Sequence, residues 1–165
     1  MTEAVLRICQ NGHFEGIPAI QAAVYKSGTS SGDFTAGEAV PTSVFDVASI
    51  TKLAATTLVA CKLHAQRTLD LDLPVTEVFP ETKTSHPGIL VRHLLAHSSG
   101  LPAWRPFFSP SLTIPGVFPG PPSADGIQRS QEKCRQAVLS TLPDNLPGAQ
   151  RTYSDTGFIL LGFLL

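Results

Sequence analysis

Three short clusters carry side chains suited to chemistry. Ser49-Ile50-Thr51-Lys52 opens one apolar run, Tyr153-Ser154-Asp155 precedes another, and His93 and His97 stand four residues apart. On a helix, a spacing of three puts two side chains on one face, so the Ser49 hydroxyl and the Lys52 amine come within reach of each other. A serine in the first helical turn sits where backbone N–H groups lack intrahelical partners and the helix dipole is positive, which favours an alkoxide and the oxyanion formed after attack. Desolvation one turn further in lowers the pKa of Lys52 and suits it to act as a base toward Ser49. The same tetrapeptide also describes an ordinary N-cap serine followed by a lysine reaching for water.

Tyr153 lies on a turn entering a helix. A tyrosine held near cations can ionise and accept a proton, and Asp155 can then hydrogen-bond the lysine. Ser154 or Asp155 can equally be a helix cap. The pair His93 and His97 has a metal-binding spacing, but no HExxH glutamate lies between them and no third ligand follows nearby. Surface and cap histidines are the expected reading, with no metal and no cofactor.

Stepping outward to the elements that must hold these groups, residues 17–27 alternate as a strand closed by Gly28, and a turn-prone stretch, 29–33, leads to a second strand near 34–40. The two read as a hairpin. From Ser49 to Gln66 the period changes: Ile50, Leu53, Ala54, Leu58, Cys61 and Ala65 form one helical stripe. A shorter helix over 90–97 ends before Ser98-Ser99-Gly100, where Gly100 suits a left-handed C-cap. Residues 102–122 hold seven of the 14 prolines, an aperiodic loop of a length that is usually functional or disordered. Ser123 or Asp125 can cap another helix to about Leu142, with Ile127, Cys134, Val138 and Leu142 on one side. After the loop 143–148, residues 156–165 open a buried helix. The expected division is strands over 1–45 and a helical region over 46–165.

A formal net charge of −1 over 165 residues leaves no electrostatic footprint for nucleic acid. The start has no basic and apolar leader pattern, and the apolar run 158–165 is far shorter than a membrane span. Cys9, Cys61 and Cys134, odd in number and widely spaced, form neither a disulfide framework nor a zinc site. A cytoplasmic setting is the default expectation.

Taken together, the landmarks resemble a known family. The run from Phe45 to Leu53 resembles the nucleophile motif of the serine β-lactamase and penicillin-binding-protein superfamily. Leu69 to Val75 is similar to the segment following that helix, and His93 to Pro102 to a segment of the class C β-lactamase and esterase branch. Tyr153-Ser154-Asp155 with its trailing apolar helix is similar to the second motif, tyrosine–any–asparagine. Four landmarks in order carry far more weight than one.

The resemblance implies an α/β (α+β) fold, a helical subdomain against a mixed domain with a central antiparallel sheet. It implies acyl transfer from a small-molecule ester or amide, of the β-lactamase, esterase or D-alanyl-D-alanine peptidase type. Ser49 would be the acylated nucleophile, Lys52 its activating partner, Tyr153 the general base and acid, and Asp155 a substrate-binding residue; either lysine or tyrosine can take the serine proton, as a coupled pair. The prolyl loop would shape substrate choice at the cleft rim. Two departures matter. Asp155 stands where many members carry asparagine, and a carboxylate there holds Lys52 protonated and moves base duty toward Tyr153. No Lys/His–small–Gly third motif follows Tyr153, so the C-terminal strands are expected to be missing and activity impaired. The competing expectation is a non-catalytic half, paired as a homo-oligomer or with a second chain that covers the apolar run 158–165.

Overall fold

A computed structural model describes residues 16–107 and 124–165. It divides between Val47 and Ala48 into two compact units.

The first unit is a two-stranded antiparallel sheet, β1 (Ala19–Lys26) and β2 (Thr29–Gly37). Ile20 pairs with Ala36 and Ala22 with Phe34, and these residues share the half-buried face while Gln21, Ala23 and Tyr25 point to solvent. That is the period-two pattern of a strand with one covered side. The turn is tighter than the sequence suggested. Ser27 and Gly28 both have positive φ, 51° and 79°, the pattern of a two-residue hairpin turn whose twist matches its strands. Residues 29–33, expected as turn, are therefore strand, and a register shift opposite Val24 and Tyr25 absorbs the extra residue.

The second unit is helical. A π-helical segment (Lys52–Thr57) runs directly into α1 (Leu58–Ala65). The expected single stripe does not survive, because a π turn shifts the helical phase and the residues before and after it face different ways. Ala60 is buried and Leu63 packs on the core, whereas Ile50 and Leu53 are 62% and 67% exposed. A left-handed residue, Arg67 (φ 59°), closes α1 with Arg67 and Thr68 N–H groups on the His64 and Leu63 carbonyls.

The Leu-Asp-Leu-Asp-Leu segment then does structural work. Arg92 N–H donates to the Leu71 carbonyl (2.9 Å), Val91 N–H to Leu73 (3.1 Å) and Val75 N–H to Ile89 (2.9 Å), and Asp72 pairs with Arg92. These bonds tie together the chain at the starts of α2 (Val75–Val78) and α3 (Val91–Leu95). The core gathers around Val75, Ile89, Leu94, Leu101, Leu160 and Leu161. Full burial of each leucine stabilises by roughly 1.5–3 kcal/mol relative to exposure.

Helix α4 (Ala124–Ser140) contributes Val138 and Leu139 to that core, with Cys134 half-buried. Ile127 and Leu142 of the expected stripe are exposed. Leu142 lies past the helix end, which Thr141 closes by donating its hydroxyl to the Ala137 carbonyl at 2.8 Å. Helix α5 (Asp155–Leu164) is apolar all round. The expected buried helix supplies the core: Phe158, Leu160 and Leu161 are buried, and Phe163 to Leu165 pack against them, so the run 158–165 is not the uncovered stretch of the competing expectation. Cys61 and Cys134 are free thiols. Cys9, Ser123 and most of the prolyl loop lie outside the described residues. No helix among the described residues is long and apolar enough to cross a membrane.

Candidate active site

Ser49 immediately precedes the helix that carries Lys52. Thr51 N–H donates to the Ala48 carbonyl and Lys52 N–H to the Ser49 carbonyl, both at 3.1 Å, so the chain enters the helix through a tight turn. Ala48 is left-handed, φ 42°, a conformation that costs a residue with a Cβ on the order of 1–2 kcal/mol. Beyond it the ladder widens. The Thr57 hydroxyl donates to the Lys52 carbonyl at 2.8 Å, occupying an acceptor that the π register leaves without its usual i+4 partner.

The Lys52 ammonium donates to the Ser49 hydroxyl at 3.1 Å, lies 2.6 Å from Asp155 Oδ1 and sits 5.0 Å from the centroid of the Tyr153 ring. Ser49 and Lys52 are also the two side chains that most favour ionisation of the Tyr153 hydroxyl. Ser49 and Lys52 thus meet Tyr153 and Asp155, which stand about a hundred residues later in the chain. All four residues singled out from the sequence share one site.

Its electrostatics follow from those contacts. Burial alone would lower the Lys52 pKa, but the bonds to Asp155 and Tyr153 outweigh it and hold the ammonium above its ordinary value of 10.5. Of the two opposing effects expected at Lys52, desolvation and the Asp155 carboxylate, the carboxylate prevails. The Tyr153 phenol moves the other way, below 10.0, through its bond to Ser49 and then its bond to Lys52, with desolvation and the Asp155 charge opposing. The site is accessible, with Tyr153 54% exposed.

What holds the tyrosine turn is the segment 97–103. Thr152 N–H donates to the His97 carbonyl (2.8 Å), Gly148 N–H to Ser98 (2.7 Å) and Asp155 N–H to Ala103 (2.8 Å). The buried Ser154 hydroxyl accepts from Gly157 N–H at 2.9 Å, capping α5, and donates to the Pro102 carbonyl at 2.7 Å. Gly100 was expected to cap α3. The left-handed residue there is His97 (φ 55°), with the N–H groups of His97 and Ser98 on the Leu94 and His93 carbonyls. Gly100, φ 80°, serves a different need: its carbonyl receives Asp144 N–H at 2.8 Å, and a Cβ would run into the Asn145 backbone.

His93 and His97 do not form a pair. His93 Nδ1 accepts from Leu90 N–H at 3.2 Å, at the head of α3. His97 turns instead toward Tyr153, a role its sequence position did not reveal. No group of three or more His, Cys, Asp or Glu side chains among the described residues could hold a metal ion.

A family model described as beta-lactamase matches residues 7–165. The chain belongs to the beta-lactamase family. An N-acetylmuramyl-L-alanine amidase of Bacillus subtilis (strain 168) is 31% identical over 132 residues, covering 74% of this chain and 27% of the amidase. The crystal structure of a provisionally assigned beta-lactamase of Bacteroides dorei DSM 17855 superposes with a TM-score of 0.67 over 99% of this chain and 44% of its own, at 20% identity. At that identity the likeness establishes the beta-lactamase-like fold, mixed helices with a small antiparallel sheet. The chain spans about a quarter of the amidase's length and less than half of the B. dorei chain's.

Proposed function

We propose that these residues form the nucleophile half of a serine acyl-transfer site, with Ser49 the nucleophile, Tyr153 the proton acceptor, Lys52 a fixed cation and Asp155 its counter-charge. The observation that carries the reading is the convergence of the four side chains, with Lys52 3.1 Å from Ser49 and 2.6 Å from Asp155.

In this reading the Tyr153 phenolate, stabilised by the neighbouring ammonium, takes the Ser49 proton as Oγ bonds to the acyl carbon. The resulting oxyanion is stabilised by backbone N–H groups at the head of the helix. Tyr153 returns the proton to the leaving alcohol or amine as the acyl–heteroatom bond breaks, leaving an ester on Ser49. Water then gives its proton to Tyr153 as its oxygen attacks the ester, and Ser49 regains a proton on release of the acid. Lys52 remains an ammonium throughout, since its raised pKa keeps it charged at neutral pH. Lysine and tyrosine work as a coupled unit in which the phenol exchanges the proton.

The substrate class is a small ester or amide. The amidase similarity favours an amide of the N-acetylmuramyl-L-alanine type, with D-alanyl-D-alanine-type peptides, β-lactams and short esters the other members of the set.

An activated fluorophosphonate tests the assignment. Ser49 should be labelled selectively, and mass mapping should show the adduct lost in Ser49→Ala. Modification spread evenly over Ser49, Ser98, Ser99 and Ser154 would refute it.

A further inference from the structure

Three observations single out His97. First, it occupies the left-handed position after α3, with φ 55°, where glycine is the usual occupant because a Cβ is strained there. Second, it brackets the tyrosine: its carbonyl takes the N–H of Thr152 at 2.8 Å, and its ring Nδ1 takes the N–H of Ser154 at 3.0 Å. Third, its ring lies 4.6 Å, centroid to centroid, from Tyr153 and stacks on Phe158 at 4.7 Å. Residues 152, 153 and 154 are thus each contacted by one residue on another segment, the first through its backbone carbonyl and the other two through its ring.

We propose that His97 is the positioning residue for Tyr153, a neutral imidazole that clamps the backbone on both sides of the tyrosine and seats the phenol over Lys52 and Ser49. The proposal rests on the reading of Tyr153 as proton acceptor. A backbone N–H can only donate, so Nδ1 must be the acceptor and the proton of the neutral ring must be on Nε2. The surroundings maintain that state. Burial lowers the His97 pKa first, then the Arg151 and Lys52 charges, against which Asp155 pulls upward; Tyr153 is the remaining titratable group on its face. Protonating Nδ1 would set a donor against the Ser154 N–H and place a second cation beside Lys52. The clamp should therefore open at acid pH.

The strained backbone fits this role. Glycine would relieve the left-handed conformation but would lose both the acceptor and the ring. Asparagine tolerates positive φ and offers an amide oxygen, so it separates the acceptor from the ring.

The test uses the 165-residue chain with Tyr25→Phe, which leaves Tyr153 the sole tyrosine. Ultraviolet titration of the phenolate band reads its pKa, and fluorophosphonate labelling reads Ser49. The expected result is a depressed Tyr153 pKa in the parent. In His97→Gly it should return toward the ordinary value, with labelling at neutral pH slowed by about tenfold per unit of pKa lost. His97→Asn should keep most of the depression. A depressed parent pKa unchanged in His97→Gly would overturn the role of His97 and leave the Tyr153 reading standing. An ordinary pKa in the parent would overturn the Tyr153 reading and this proposal with it. If His97→Gly does not fold, His97→Asn decides: a folded variant with an ordinary tyrosine pKa overturns the clamp, and a depressed one supports it.

Discussion

Replacing Asp155 by asparagine removes one charge from the site while keeping nearly the same shape and an oxygen able to face Lys52. The carboxylate is 2.6 Å from the Lys52 ammonium, with the two side chains 37% and 18% exposed. At that separation, the Coulomb attraction is about 1.6 kcal/mol even at the dielectric of water. Partial exposure argues for staying near this lower figure, because screened surface pairs contribute ~1 kcal/mol or less to stability. An energy of that size corresponds to about one pKa unit for the lysine. Asp155 supports the Lys52 charge but opposes ionisation of Tyr153. Its loss should therefore move both groups the same way, the lysine and the phenol each toward lower pKa.

The assay is the second-order rate of Ser49 labelling followed from neutral to strongly alkaline pH. In the parent the rate should rise as Tyr153 ionises below 10.0 and fall as Lys52 loses its proton above 10.5, following the directions of the two shifts. Asp155→Asn should carry both limbs downward, the alkaline one by about a unit. If the alkaline limb does not move, or moves upward, the ion pair does not set the lysine's charge, and the mechanism built on a permanent ammonium fails.

Three further outcomes are expected. Ser154→Ala should cost about 1–2 kcal/mol in thermal or denaturant unfolding, since the buried hydroxyl both caps α5 and satisfies the Pro102 carbonyl; a change within a few tenths would mean that water replaces it. Hydrogen exchange should find the amides of β1 and β2 the least protected regular structure, because a two-stranded sheet is marginal on its own, and protection equal to that of α5 would contradict this. A polypeptide of these 165 residues should turn over chromogenic cephalosporins and p-nitrophenyl esters negligibly, because no Lys/His–small–Gly motif follows Tyr153. Turnover of roughly 1–1,000 per second, abolished by Ser49→Ala, would show that the third motif is dispensable.

Much of the site was legible because its chemistry is carried by residue type and order. Ser49, Lys52, Tyr153 and Asp155 were singled out from spacing and resemblance, and the fold brings the four side chains together. The helices were legible for a similar reason, since Val91, Leu94, Val138 and Leu160 belong to apolar patterns that burial enforces. The hairpin's existence was legible but not its turn. A serine at positive φ is not a signal that Ser27-Gly28 announces strongly, whereas the polar stretch after it reads as a turn.

The remaining misses share a cause that bears on function. Ala48 and His97 adopt left-handed backbone, which alanine disfavours and histidine merely tolerates better than most, and the π register begins at Lys52 although the sequence there is ordinary helix-forming apolar chain. Local rules predict a regular helix entry, a glycine cap and an unbroken 3.6-residue stripe, and at each point the fold overrides them. Ser27 and Arg67 are left-handed elsewhere, in the hairpin turn and at the end of α1, but three departures fall at the candidate site: Ala48 adjoins Ser49, the π segment starts at Lys52, and His97 touches Tyr153. Strain of on the order of 1–3 kcal/mol at each such residue persists only where surrounding contacts over-determine it. Conflict between local preference and tertiary structure is expected to concentrate at functional sites. Every reactive side chain of the proposed mechanism except Asp155 has such a neighbour or bears the irregularity itself, and Asp155 is placed by the same turn that carries Tyr153.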